Sequence, residues 1–395
     1  MKKTLLVLAT LAATAGFAQA ATVNLYGAVD LGLSYKYSKV DGEKATHQYG
    51  LESGNLGASK FGLKGEEELG NGYVVGFKLE NGFSADDGTL GQSGRLFGRE
   101  ARLYVKGGFG ELSAGRMGAL SSGAGTYDIF QAYGDAFDGG VADIGAGYWH
   151  ETGRYDNTLT YATPEFAGFK VYAQYSFATD GQETGHERDK DRYMGIGATY
   201  DNGPLGLVFV VDSVKYGDYK VNDDLTYRAD DDSITFSVGG SYDFGSVKPY
   251  IGAQYGKHMS AFAGFGAGHD DFIIADLKGY AVSVGGIFQV PCGTVQAGLF
   301  YAQAKGDAVT GAQFDEEAGD YQALGVGDAK STIYGIGLVH SYPISKRTTF
   351  YSGVGFTYQK LTGQSIEYVD DAFKEGSVDD KRKSAQVLFG LNHTF

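Results

Sequence analysis

Tryptophan and cysteine occur once each in this chain, and proline only 5 times in 395 residues. With so little proline and no G-X-Y period, its 63 glycines are not those of collagen. The lone cysteine, Cys292, cannot close an internal disulfide; set between Pro291 and Gly293, it reads as an unpaired thiol in a turn. Beyond Phe17 no apolar run approaches the roughly 20 residues that a bilayer-spanning helix needs, which excludes a bundle of membrane helices. Basic residues are in deficit, 33 Lys and Arg against 48 Asp and Glu, for a net charge of −15. Nucleic-acid binders present basic patches, so no nucleic-acid partner is expected. Catalytic signatures are missing too: there is no G-x-S-x-G, H-E-x-x-H, P-loop or C-x-x-C, and the 7 histidines have no metal-ligand spacing. No enzyme activity, metal or cofactor is expected.

What the chain has is glycine and aromatic side chains, 29 Tyr and 25 Phe among them. Its first twenty residues form an address: Lys2 and Lys3, an apolar stretch from Leu5 to Phe17, then Ala18-Gln19-Ala20 as a cleavage site. Residues 1–20 are expected to be a cleaved signal peptide and 21–395 one β-domain. From Val23 onward, strand-like stretches recur in which one parity is apolar. Val29, Leu31, Leu33 and Tyr35 alternate with Asp30, Ser34 and Lys36; Phe169, Val171, Ala173 and Tyr175 alternate with Lys170, Gln174 and Ser176. Successive strand residues point to opposite faces, so each stretch has one apolar and one polar face.

The connections alternate in length. Seven short ones, such as Leu69–Gly72, Gly107–Gly110, Asp201–Pro204 and Pro291–Gly293, use turn-forming residues. Eight long ones lie near Ser38–Gly54, Ala85–Gly94, Gly118–Gly153, Thr179–Asp191, Gly217–Asp230, Ser260–Ile274, Lys305–Ala329 and Thr362–Asp380. Seven turns and eight loops join sixteen strands. A soluble sandwich could carry the same alternation. Its persistence at both ends and in the middle of the chain, with short turns on one side and long loops on the other, favours a closed barrel in a bacterial outer membrane. The fold class expected is all-β, a transmembrane 16-stranded antiparallel β-barrel, wide enough for an aqueous channel. An outer-membrane barrel hydrolase and an adhesive surface protein are the alternatives.

Asn24–Asp30 (NLYGAVD), Phe61–Leu69 (FGLKGEEEL), Arg99–Gly110 (REARLYVKGGFG), Tyr161–Phe169 (YATPEFAGF) and the terminal Gly390–Phe395 (GLNHTF) resemble the Gram-negative general-diffusion porins over essentially the whole mature chain. The resemblance implies a homotrimer that passes ions and small hydrophilic solutes through each barrel, with the third long loop folded into the lumen as a charged eyelet. It implies that Phe395 belongs to a signal read by the barrel-insertion machinery. On the loop, Asp135 and Asp138 lie nearest the family's acidic eyelet positions, with Asp128 also present. On the wall, Lys60, Arg99 and Arg154 match basic positions. Parity turns Lys60 inward; it also turns Arg102 inward with Leu103 and Val105 facing lipid, which leaves Arg99 in conflict with its family role. The negative total charge leans towards cation preference, although distant loop charges are screened beyond roughly 8 Å at physiological salt. The acidic clusters of the other long loops read as solvation or as divalent-cation bridges to lipopolysaccharide, and Lys381, Arg382 and Lys383 as lipid contacts or as neutralisers of their acidic neighbours.

Overall fold

In the computed structural model the described residues are 23–137, 149, 153–181, 190–220, 226–228, 231–259, 273–309, 312–315, 320–323, 326–369 and 372–395. The proposed leader lies outside them. The strands are β1 (Asn24–Val40), β2 (in two segments, Thr46–Ser53 and Lys60–Gly70), β3 (Tyr73–Gly82), β4 (Glu100–Gly107), β5 (Gly110–Gly118), β6 (Arg154–Ala162), β7 (Phe169–Ser176) and β8 (Arg192–Asn202). They continue as β9 (Leu205–Lys215), β10 (Ile234–Tyr242), β11 (Val247–Met259), β12 (Ile273–Val290), β13 (Gly293–Val309), β14 (Val326–Pro343), β15 (Thr348–Val369) and β16 (Ala372–Thr394). Each pairs antiparallel with the next. Pairing of β1 with β16, from Ala28↔Thr394 to Val40↔Arg382, closes the sheet into a sixteen-stranded barrel. Closure leaves no strand edge unpaired, as a hydrocarbon surrounding demands.

The faces follow from alternation. Outward residues stay exposed, among them Leu25, Ile196, Phe209, Ile251 and Val354, while inward Thr160, Gln174, Ser237, Gln254 and Ser331 are buried and polar. The last residue completes the seam: Phe395 and Gly27 exchange backbone hydrogen bonds of 3.0 and 3.1 Å. The Phe395 ring lies over Gly27, where an added Cβ would sit 2.5 Å from it.

Three of the expected long loops are mostly strand: in the Lys305–Ala329 region β13 runs to Val309, β14 starts at Val326, and between them Ala312–Asp315 pairs with Asp320–Ala323. The Ser38–Gly54 region is a hairpin whose strands run to Val40 and from Thr46, and in the Thr362–Asp380 region β15 reaches Val369 and β16 starts at Ala372. The ladder continues past the apolar belt with polar residues, where period-2 hydrophobicity no longer marks it.

The break in β2 has its own cause. Residues 54–59 fold inward around the fully buried Asp30. One Asp30 oxygen accepts from Asn55 N–H (3.1 Å) and Tyr351 OH (2.7 Å). The other accepts from Leu56 N–H (3.2 Å), Gly57 N–H (3.0 Å) and Asn392 Nδ2 (2.9 Å). A carboxylate has about four lone-pair sites, so Asp30 is saturated by this loop and by two strands at the barrel seam.

Candidate channel constriction

The third loop leaves β5 at Gly118 and lies inside the barrel. Six inward glycines, one per strand, form its seat. Gly197 on β8 faces Ile129, and Gly206 on β9 faces Tyr133. Gly239 on β10 and Gly252 on β11 face Gly134; Gly285 on β12 faces Ala136, and Gly298 on β13 faces Phe137. Loop sequence order thus tracks strand order around the wall. Gly239 and Gly252 are direct cross-strand partners, as are Gly285 and Gly298. A Cβ at Gly239 would stand 2.6 Å from the Gly134 Cα, and one at Gly252 2.6 Å from the Gly134 carbonyl oxygen. The wall is glycine here because backbone meets backbone.

Polar contacts pin the loop at several places. Ser121 Oγ donates to the fully buried Asp212 on β9 at 2.5 Å, and Tyr193 OH donates to the other oxygen of that carboxylate. Gln174 Nε2 holds the Gly118 carbonyl at 3.1 Å. Farther along, Tyr127 OH donates to Glu111 on β5 while accepting from Arg102 Nη1 at 3.0 Å. Burial is the main influence on the Tyr127 hydroxyl; opposed by the Arg102 guanidinium and reinforced by Glu111, it holds that hydroxyl above its ordinary range. The short helix Phe130–Gly134 then packs on β9, β10 and β11. Burial and the 2.6 Å hydrogen bond to Asp201 likewise raise Tyr133. Trp149 meets Phe130 edge-on at 4.9 Å and donates through Nε1 to Asp135 at 3.1 Å.

Two of the three expected acidic residues make hydrogen bonds inside the loop. Asp135 is buried, with one oxygen taken by Trp149 and the other by Phe137 N–H at 3.0 Å. Asp128 accepts from Gln131 N–H at 3.4 Å at the start of the helix. Asp138 lies outside the described residues.

The wall charges gather on β2 to β6. Lys78 meets Glu100 at 2.7 Å and Glu80 at 3.7 Å. Arg99 pairs with Glu80 at 2.7 Å, and Arg102 with Glu100 at 2.7 Å and Glu111 at 2.8 Å. Lys60 has Glu80, Arg99, Lys78 and Glu100 as charged neighbours, and Arg154 has Arg99, Arg116, Glu80 and Glu100. The Arg99–Arg102 conflict dissolves, because β4 begins at Glu100: Arg99 precedes the strand and is not bound by its parity. Arg102 is the more buried, stacked over Tyr104 at 4.3 Å while it grips Tyr127, so it anchors the loop as well as carrying charge. Glu80, Glu100 and Glu111 were not singled out from the sequence. The even spacing of Glu80 with Lys78 and of Glu100 with Arg102 was visible, but which strands adjoin was not.

The comparisons agree with this geometry. A family model describing Gram-negative porins matches residues 7–362. The chain is 30% identical over 431 residues to an outer membrane porin protein of Bordetella pertussis, and 30% identical over 398 residues to outer membrane porin protein 32 of Delftia acidovorans, each match covering 100% of both chains. Among solved structures it resembles the anion-selective porin from Comamonas acidovorans, with a TM-score of 0.63 and 25% identity over 95% of this chain and 100% of that one. OmpT of Vibrio cholerae, at 18% identity and a TM-score of 0.57 over 95% of this chain and 98% of its own, shares the fold.

Proposed function

The chain belongs to the Gram-negative porins and is a passive diffusion channel of the outer membrane, and from that premise we propose that Lys60, Arg99, Arg102 and Arg154, with Lys78, frame its constriction and favour small anions. The observation that carries this reading is a local surplus of charge. Those five cations share three carboxylates, Glu80, Glu100 and Glu111. Asp128 and Asp135 make hydrogen bonds within the loop. The likeness to an anion-selective porin supports the same sign. Net charge, which leans the other way, resides largely in long loops whose field is screened over roughly a Debye length of 8 Å.

Fixed charges in a narrow frame act on passing solutes without binding them tightly, so entry and exit both stay easy. Polar solutes align in the field and pass, whereas apolar ones disrupt ordered water. The assembly we infer is a homotrimer in outer-membrane lipid, with Phe395 read by the barrel-insertion machinery.

Replacing Lys60 and Arg154 by Gln tests the reading. An ion about 7 Å from one wall charge in a water-like dielectric feels about 0.6 kcal/mol, and screening at about 0.1 M salt halves it. Anion and cation respond oppositely, so each removed charge changes their permeability ratio about threefold. The double variant shifts the ratio towards cations by about sevenfold, read as the reversal potential across a KCl gradient in a planar bilayer. An unshifted potential contradicts the proposed frame.

A further inference from the structure

We propose that residues 54–59 form a second insert in the lumen and that Leu56 is a positioning residue for the third loop, holding Phe137 against the wall and so fixing how far the loop stands into the pore.

The turn gives up what a barrel wall offers by default. β1 pairs with β2 up to Ala28↔Lys60 and again from Leu31↔Ser53, and between these points the ladder is interrupted. Gly54-Asn55-Leu56-Gly57-Ala58-Ser59 turns inward there. Besides its hydrogen bonds to the Asp30 carboxylate, the turn is tied at both ends. Gly54 N–H and Ser59 Oγ each donate to the Asp30 carbonyl at 3.1 Å, and the Ser53 and Ser59 hydroxyls lie 2.8 Å apart. Bound at its ends and along its backbone, the turn is a rigid post.

Leu56 is the one large apolar side chain on that post. In a water-filled lumen it costs free energy unless it finds an apolar partner. The wall supplies one. The glycine seat ends at Gly298 on β13, and on the next three strands the inward face turns apolar, with Val339 on β14, Tyr351 on β15 and Leu388 on β16. Val339 and Leu388 flank Gly353 in the ladder. All three apolar residues are 0–2% exposed although they face an aqueous channel, so they are covered. Phe137 joins their cluster from the loop, and Leu56 packs against it from the turn. The Phe137 ring already lies over Gly298, so wall, loop and turn meet at one apolar contact.

Tyr351 links the two halves of the device. Its ring belongs to the apolar cluster while its hydroxyl donates to Asp30 at 2.7 Å. Gly32 and Gly390 pair across the seam and leave room for that reach; a Cβ on Gly32 would stand 2.6 Å from the hydroxyl oxygen. One residue thus fixes the turn's backbone and the surface on which Leu56 and Phe137 rest. A turn that only sealed the seam would need the Asp30 hydrogen bonds and no leucine. The contact also lies where the loop needs it. The anchors at Ser121 and Tyr127 act earlier along the loop, and Phe137 follows the Ala136 carbonyl held by Gln296.

The test is planar-bilayer recording of the purified full-length protein. Leu56→Ala removes the contact and lets the end of the loop swing into the pore, so the time spent in reduced-current substates rises about tenfold over wild type. Phe137→Ala does the same, and Leu56→Ala/Phe137→Ala does no more than either alone, because both remove one contact. Leu56→Met, similar in volume, stays within about twofold of wild type. Leu56→Val, one methylene smaller, gives about a fourfold rise and carries the same test should the alanine variant not fold, which heat-modifiable gel migration reports. None of these variants alters charge, so the reversal potential stays at its wild-type value, and the result is independent of the sign proposed for the constriction. The proposal is overturned if folded Leu56→Ala keeps wild-type substates; a urea midpoint that falls in that variant then marks the turn as a support of the seam alone. It is equally overturned if the effects of the two single variants multiply in the double.

Discussion

Gly252→Val is the perturbation that most sharply tests the glycine seat. The new Cβ would stand 2.6 Å from the Gly134 carbonyl oxygen and 3.1 Å from the Trp149 ring. An ordinary contact needs about 3.4 Å or more, so loop and wall must part by nearly 1 Å. The wall cannot retreat easily: Gly252 pairs with Gly239 on one side and Ser283 on the other, within ladders that close the barrel. The loop is therefore displaced towards the lumen, against the restraints at Ser121, Tyr127 and Gln296, the last of which donates to the Ala136 carbonyl at 2.9 Å. Overpacking of this kind costs about 1–3 kcal/mol. Single-channel conductance falls below wild type, and the urea midpoint of the detergent-solubilised barrel falls with it. Gly252→Ala shows both effects more weakly. A valine variant with wild-type conductance and midpoint would refute the idea that backbone contact dictates glycine at this site.

Asp30→Ala strips the acceptor from five donors, three of them backbone N–H groups of residues 55–57. At about 1–3 kcal/mol for each donor left unsatisfied, and with water recovering some of it, the expected loss is at least ~3 kcal/mol, measured by denaturant unfolding; a loss within ~0.5 kcal/mol contradicts it. The Tyr127 clamp has a pH signature. The folded value of Tyr127 is raised above its ordinary one, so its contribution is complete below about pH 10 and is lost as pH climbs beyond that towards the folded value. Open-channel current noise stays flat from about pH 6 to 9 and grows only above about pH 10, and growth near pH 7 would place the anchor elsewhere.

Period-2 alternation made the barrel readable, because lipid outside and water inside impose opposite demands on neighbouring residues in every strand. It failed where one demand lapses. Beyond the apolar belt both faces are wet, so the outer parts of β1, β2, β15 and β16 read as loop although their backbones pair. Lys60, Arg99 and Arg154 stood out as candidate wall cations because they open or adjoin strands with recognisable neighbours. Their carboxylates were not, since Glu80 and Glu100 acquire meaning only when β3 is set beside β4. Asp135 looked like a solvent-facing eyelet acid; its capture by the chain's one tryptophan depends on how the loop folds back, which no local pattern encodes. Every seat glycine is plain in the sequence. Register sets which glycines stand side by side, and the path of the loop sets which of its residues each one meets.

Planar-bilayer recording of the wild-type protein under a KCl gradient tests the central claim most directly. Discrete, long-lived conductance steps with a reversal potential of the sign that denotes anion preference are the expected result. A folded barrel that inserts without conducting would contradict the open channel, and a cation-signed potential would contradict the surplus of Lys60, Lys78, Arg99, Arg102 and Arg154 as the charge that governs passage.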